Sequence, residues 1–160
     1  MLVVGAGLGG LRTVEALRAN GYDGRISLVG DEPHLPYDRP PLSKQLLAGS
    51  WEPDRVRLRA EDTYDDLGVR TYLGTRAVGW RPGQVVLDDG ATMYADAIVV
   101  ATGLSARRLP GQPDSVFTLR TWTTRWPCAL PWTRRRRWRS WVPGSWARRW
   151  PAPRATGASR

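Results

Sequence analysis

The stretch Gly5-Ala6-Gly7-Leu8-Gly9-Gly10 stands directly between an apolar run at 1–4 and a segment at 11–20 with apolar residues at Leu11, Val14 and Leu17. An all-apolar run of four reads as a buried parallel strand. The spacing of the three later residues predicts one face of a helix, with Gly21 placed to close it. A second apolar-rich run at 25–29 completes strand, helix and strand within thirty residues. Such a βαβ unit crosses over right-handedly in nearly all cases. Seventeen glycines in 160 residues produce Gly-x-Gly-x-x-Gly by chance fairly often, and a tight turn with no ligand is the bland alternative. The position between strand and helix is what gives the motif weight. Gly5 permits the turn, Gly7 lets backbone approach a diphosphate, and Gly10 lets the helix pack close to the strand. The free amides at the helix start then face the phosphates with the positive end of the helix dipole.

The same motif calls for an acid at the end of the second strand, about 20 residues further on, to bind a ribose hydroxyl. Asp31 and Glu32 stand there. An acid at that place disfavours a 2′-phosphate, so the adenosine of FAD or NAD is expected over that of NADP. A solvated pair of loop acids is the plainer reading of the same two residues.

Further along, 30–41 reads as a loop, 42–48 as a short helix before Gly49, and 61–67 as another before Gly68. Three short alternating runs at 69–73, 77–80 and 85–87, parted by turn residues, predict an antiparallel meander. The apolar run at 97–100 predicts a buried strand ending in Ala101-Thr102-Gly103. The expected class is α/β: an incomplete Rossmann-like domain with a parallel sheet and an added β-meander.

Charge divides the chain in two. Residues 1–120 carry 14 Lys+Arg and all 15 Asp+Glu, whereas 121–160 carry ten Arg, no acid and seven of the nine Trp. The overall charge of +9 would suggest a nucleic-acid binder, but it belongs to the last forty residues. The single cysteine, Cys128, excludes a disulfide framework and a cysteine-based zinc site, and no metal site is expected. No apolar run reaches 18 residues, so no membrane association is expected. No basic leader precedes the first strand, so the expected location is the cytoplasm.

Three segments carry a family resemblance: VVGAGLGGLRTVEALRANGYDG, LVGDEPHLPYDRPPLSKQLLAG and ADAIVVATGLSARRLPG. They closely resemble the start of FAD-dependent ferredoxin and rubredoxin reductases, in the pyridine nucleotide–disulfide oxidoreductase superfamily. The resemblance runs over about 1–121, and DRPPLSK is its most specific part. It implies FAD as cofactor, NADH as electron donor and a ferredoxin- or rubredoxin-type electron acceptor. It implies that the loop from Gly5 to Gly10 holds the diphosphate and that Asp31 binds the ribose. Arg39, Pro40 and Lys44 then approach the cofactor, with Lys44 near the flavin ring. Ala77 gives backbone contact to the adenine, Ala101, Thr102 and Gly103 turn beside the cofactor, and Arg120 reaches the flavin side. No residue is assigned a catalytic role. His34, the sole histidine, lies in the loop and is not expected to act as a general base. The chain has no Cys-x-x-Cys, so disulfide-reductase chemistry is excluded.

After Thr121 the pattern stops. The segment 122–160 shows neither helical nor strand period, and it is expected to be disordered. Its Trp, Arg and Pro content reads as a GC-rich gene translated in a shifted frame. Read one base earlier, with GC-rich third positions, it becomes a helix, a strand and a second glycine loop, where the family begins its NADH-binding domain. An intact genomic frame encoding this tail would refute that reading. The expectation is therefore an oxidoreductase sequence whose 160-residue product is itself inactive, lacking the NADH site and the closing part of the FAD domain. The alternative is a dinucleotide-binding remnant whose basic tail binds nucleic acid or other anions nonspecifically.

Overall fold

The computed structural model describes residues 1–124; the remainder of the basic tail, and with it the expectation of disorder there, lies outside the described residues. Four parallel strands form the central sheet: β1 (Leu2–Val4), β2 (Ile26–Gly30), β3 (Val69–Leu73) and β7 (Ile98–Val100), in the order β3-β2-β1-β7. Between β3 and β7 the chain makes a three-stranded antiparallel sheet, β4 (Ala77–Arg81), β5 (Gln84–Leu87) and β6 (Thr92–Tyr94). Among the described residues the sheets are joined by the helices α1 (Leu8–Ala19) and α2 (Asp62–Asp66).

Alternation along β1 and β2 decides which layer goes where, because successive side chains point to opposite faces. Val3 and Leu28 face α1 and α2, where they join Leu11, Val14, Ile26, Tyr64 and Val69 in one buried cluster. Leu2, Val4 and Val29 face the other way and pack with Val85 and Leu87 of β5. The parallel sheet is thus covered by helix on one side and by the antiparallel sheet on the other, as a sheet apolar on both faces requires. A third cluster of Tyr37, Leu42, Leu46 and Val56 lies under the loop after β2, with Trp51 and Trp122 against it.

The α/β class, the βαβ unit and the meander hairpin match the sequence reading; the strand expected at 97–100 forms over Ile98–Val100, but as an edge strand of the sheet it is not buried, and Val100 is 68% exposed. The run 69–73 departs from that reading. It pairs parallel with β2, Ile26 opposite Val69 and Gly30 opposite Leu73, rather than joining the meander. As an edge strand only Val69 is buried, so its short run carries no burial pattern that would tell parallel from antiparallel pairing. The meander takes β6 as its third strand instead, Val85 opposite Met93. The expected helix at 42–48 is a 3₁₀ turn over Pro40–Ser43; Lys44 leaves helical geometry with φ −124° and ψ −102°. Trp122, assigned to the tail from composition, packs against the third cluster. Among the described residues no helix is long and apolar enough to cross a membrane.

Tyr64 gives the helix-side cluster a pH sensitivity. Its hydroxyl is buried with no hydrogen-bond partner among the described residues. Burial, and after it the charge of Glu15, push the phenol up to about 12 from 10.0, against the opposing Arg59. Below pH 10 the hydroxyl is neutral in folded and unfolded chains alike. Above it the unfolded chain ionises first, so stability falls as pH rises toward 12. Tyr64→Phe is expected to leave stability at pH 7 unchanged or raised by about 1 kcal/mol and to flatten part of the loss between pH 10 and 11. Urea midpoints of both chains at pH 7 and pH 11 check this; an alkaline loss as steep as in the parent would rule it out.

Candidate functional site

A cavity of about 290 Å³ opens at the carboxyl ends of β1, β2 and β7. The strand order turns there: α1 carries the chain from β1 to β2 on one side, while β7 lies on the other side of β1. Crevices at such switch points are where open α/β sheets bind ligands. The glycine loop forms the floor from Gly5 to Gly9, with Ala6 between the expected positions. Gly30, Asp31 and Glu32 form the wall beyond β2, Tyr37 to Pro40 the rim above it, and Ala101, Thr102, Gly103 and Arg120 the opposite side.

Close backbone approach explains the glycines. Ala101 donates its amide to the Val4 carbonyl at 2.7 Å, which brings the turn after β7 directly over Gly5. A Cβ on Gly5 would lie 2.2 Å from the Ala101 oxygen, and Gly5 itself has φ +119°. A Cβ on Gly10 would lie 1.9 Å from the Gly5 oxygen. Gly7 is different. It caps α1 with φ −112°, and a Cβ there would meet nothing within 4 Å. Its missing side chain leaves open space on the cavity floor.

Three features show what the cavity suits. No side chain caps the amides of the first turn of α1, and no acid stands in that turn; those donors and the helix dipole are left for an anion. The Asp31 side chain, exposed at the cavity wall, makes no hydrogen bond or ion pair among the described residues and is free to accept from a hydroxyl. The open face of Gly7 admits a group against bare backbone. Together they fit the diphosphate and ribose of a dinucleotide.

Glu32 behaves otherwise. Its Oε1 accepts from the Arg39 guanidinium at 2.6 Å and its Oε2 from the Tyr37 hydroxyl at 2.5 Å. Burial, reinforced by that bond to Glu32, holds the Tyr37 phenol well above its ordinary range, so it remains a proton donor. Arg39 also donates to the Arg120 carbonyl at 2.8 Å. Arg120 reaches across the cavity mouth and donates from Nε to the Leu104 carbonyl at 2.9 Å.

Three expected residues lie off the cavity lining. Gly10 is buried beneath the loop, where its role is packing. Lys44 is exposed, at the residue where the 3₁₀ turn ends. Ala77 starts β4 and packs with the sheet-on-sheet cluster. His34 stands against Trp122, ring centroids 5.6 Å apart, away from the cavity lining. The lining residues that the sequence reading passed over are Ala6, Gly30, Tyr37 and Asp38. Gly30 had a signal: it ends a strand beside the glycine loop, and its Cβ would lie 2.4 Å from that of Ala6. Tyr37 and Asp38 stood within the loop with nothing to single them out. Among the described residues no cluster of His, Cys, Asp and Glu could hold a metal.

Comparison with known proteins points the same way. The pyridine nucleotide-disulphide oxidoreductase family matches residues 1–139, extending past Thr121 into the basic segment. The ferredoxin–NAD(+) reductase subunit of a benzene 1,2-dioxygenase system of Pseudomonas putida is 47% identical over 125 residues, covering 75% of this chain and 30% of that protein. The ferredoxin reductase component of a chlorobenzene dioxygenase from Cupriavidus sp. (strain PS12) is 46% identical over 136 residues, covering 82% and 33%. The chain therefore spans about a third of the length of these curated relatives. The structure also resembles the crystal structure of a covalent putidaredoxin reductase–putidaredoxin complex, with TM-score 0.73 and 36% identity over 79% of this chain and 32% of that one.

Proposed function

Because this chain belongs to the pyridine nucleotide-disulphide oxidoreductase family, we propose that residues 1–121 are the N-terminal part of the FAD-binding domain of a ferredoxin reductase-like enzyme. In that enzyme NADH is the electron donor and a ferredoxin- or rubredoxin-type protein the acceptor. The observation that carries this reading is the convergence, at one switch-point cavity, of the uncapped start of α1, the bare face of Gly7 and the free Asp31 carboxylate. The names of the relatives, ferredoxin–NAD(+) reductase and ferredoxin reductase component, support the reaction class.

The division of labour follows from the cavity walls. Gly5, Gly7, Leu8 and Gly9 would hold the diphosphate through backbone amides, with Gly10 packing the helix beneath them. Asp31 would accept from the ribose. Ala101, Thr102 and Gly103 would pass beside the cofactor, and Arg39, Pro40 and Arg120 would bound its far end. Bound FAD supplies hydride acceptance and one-electron delivery; these residues bind and orient it. The described residues contain one such glycine loop, and one loop serves one nucleotide. NADH-dependent dye reduction by the 160-residue polypeptide alone is therefore not expected.

Gly7→Ala tests the assignment. The methyl group enters open space at a φ that alanine adopts freely, so the fold should survive, with the urea midpoint essentially unchanged. FAD retention in equilibrium dialysis should fall by about tenfold or more, the loss of roughly one good contact. A parent chain that retains no FAD under the same conditions refutes the proposal, and equal retention by both chains removes Gly7 from it.

A further inference from the structure

The loop after β2 grips the chain at a point more than 80 residues away, on both sides of Thr121. Arg39 donates to the Arg120 carbonyl at 2.8 Å, and the Tyr37 hydroxyl accepts from the Trp122 amide at 2.9 Å. The two gripping side chains are joined by Glu32, which takes one bond from each. The Glu32 side chain retains 14% of its exposure and that of Arg39 29%, so water competes weakly for these charges. The Trp122 ring closes the outside, edge-on to Tyr37 at 5.6 Å and 74°. The Arg120 side chain leaves the backbone directly before the gripped carbonyl and lines the cavity, where its guanidinium is tied to the Leu104 carbonyl.

We propose that Glu32 is a positioning residue: through Tyr37 and Arg39 it holds the 120–122 backbone so that the Arg120 cation is set at the cavity mouth, and Asp31 alone serves as the ribose acid. This rests on the dinucleotide reading given above. A carboxylate with both oxygens already engaged by side-chain donors has little capacity left for a ribose hydroxyl, whereas Asp31 has all of its own. An arginine is needed at position 39 because its planar fork reaches two acceptors at fixed angles, which a lysine ammonium does not.

The test compares FAD with ADP, which has the ribose and diphosphate but no flavin, in equilibrium dialysis against the full chain. Glu32→Gln, Tyr37→Phe and Arg39→Lys are each expected to weaken FAD by about tenfold and to leave ADP within about twofold. Adding Arg120→Ala to Glu32→Gln should weaken FAD no further than Arg120→Ala does alone, since coupled residues are not additive. Limited trypsin digestion of the ligand-free chains supplies an independent readout. Cleavage after Arg120 should be slow in the parent and several-fold faster in all three variants. If FAD and ADP weaken together in Glu32→Gln, Glu32 binds ribose directly and the proposal is wrong. Unchanged cleavage after Arg120 overturns the grip itself, whatever the nucleotides do. A parent chain that binds neither nucleotide while the cleavage pattern holds overturns the dinucleotide reading and the role given to Arg120, and leaves the grip as a purely structural contact.

Discussion

Gly5→Ala is expected to keep the chain from folding to a stable state. The added methyl group would sit 2.2 Å from the Ala101 oxygen and 2.8 Å from the Thr102 amide nitrogen, both backbone atoms that cannot swing aside. It would also hold a residue with a side chain at φ +119°, which alone costs about 1–3 kcal/mol. Overpacking adds a similar amount, and a domain of this size has only about 5–15 kcal/mol in total. Relieving the clash means separating β7 from β1, which undoes the pairing of Leu2 with Ile98 and Val4 with Val100. Soluble yield and urea denaturation provide the measurement, with Gly7→Ala as the partner experiment in the same loop. A Gly5→Ala chain within about 1 kcal/mol of the parent would show that the seam between the two strands is looser than these distances require.

Arg18→Ala carries the second large effect, and it lies away from the cavity. Arg18 ends α1 and donates to four backbone carbonyls: Leu67 at 2.7 Å, Tyr22, Gly24 at 2.9 Å and Gly68 at 3.2 Å. It thereby ties the end of α1 to the turn before β2 and to the turn between α2 and β3. A cation in the last turn also suits the negative end of the helix. Removing it leaves several partly buried acceptors without a donor, and a loss of about 2–3 kcal/mol is expected. Arg18→Lys should recover less than half, because a single ammonium cannot reach carbonyls on both sides of its stem. Urea midpoints for the three chains settle it; a loss under about 0.5 kcal/mol for alanine would mean that water satisfies those carbonyls as well as the guanidinium does.

Much of the site was legible because its parts are local. A glycine loop between a strand and a helix, and an acid at the end of the next strand, are each written within a few residues. Gly5, Gly7 and Asp31 could therefore be named, with the Ala101–Gly103 turn added by resemblance, and all of them line one cavity. What escaped depends on distant partners. Nothing near Val69 says whether its strand pairs parallel or antiparallel, since an edge strand that buries a single residue looks the same in either case. Nothing near Tyr37 announces the Trp122 amide. Lys44 was placed by resemblance near a flavin; its side chain is exposed and off the cavity lining, just past the 3₁₀ turn. Composition placed a domain boundary at Trp122, but one aromatic ring seated against Tyr37 belongs to the folded unit whatever its neighbours are.

The pairing of the first strand with the last has a consequence for biosynthesis. Leu2 leaves the ribosome well before its neighbour Ile98. The βαβ unit can form early, since its contacts are short-range. The floor of the cavity cannot be completed then, because Ala101 must arrive to press the first glycine into its turn. Until β7 emerges the cavity floor therefore stays unfinished, and one edge of β1 stands open to any strand that reaches it first.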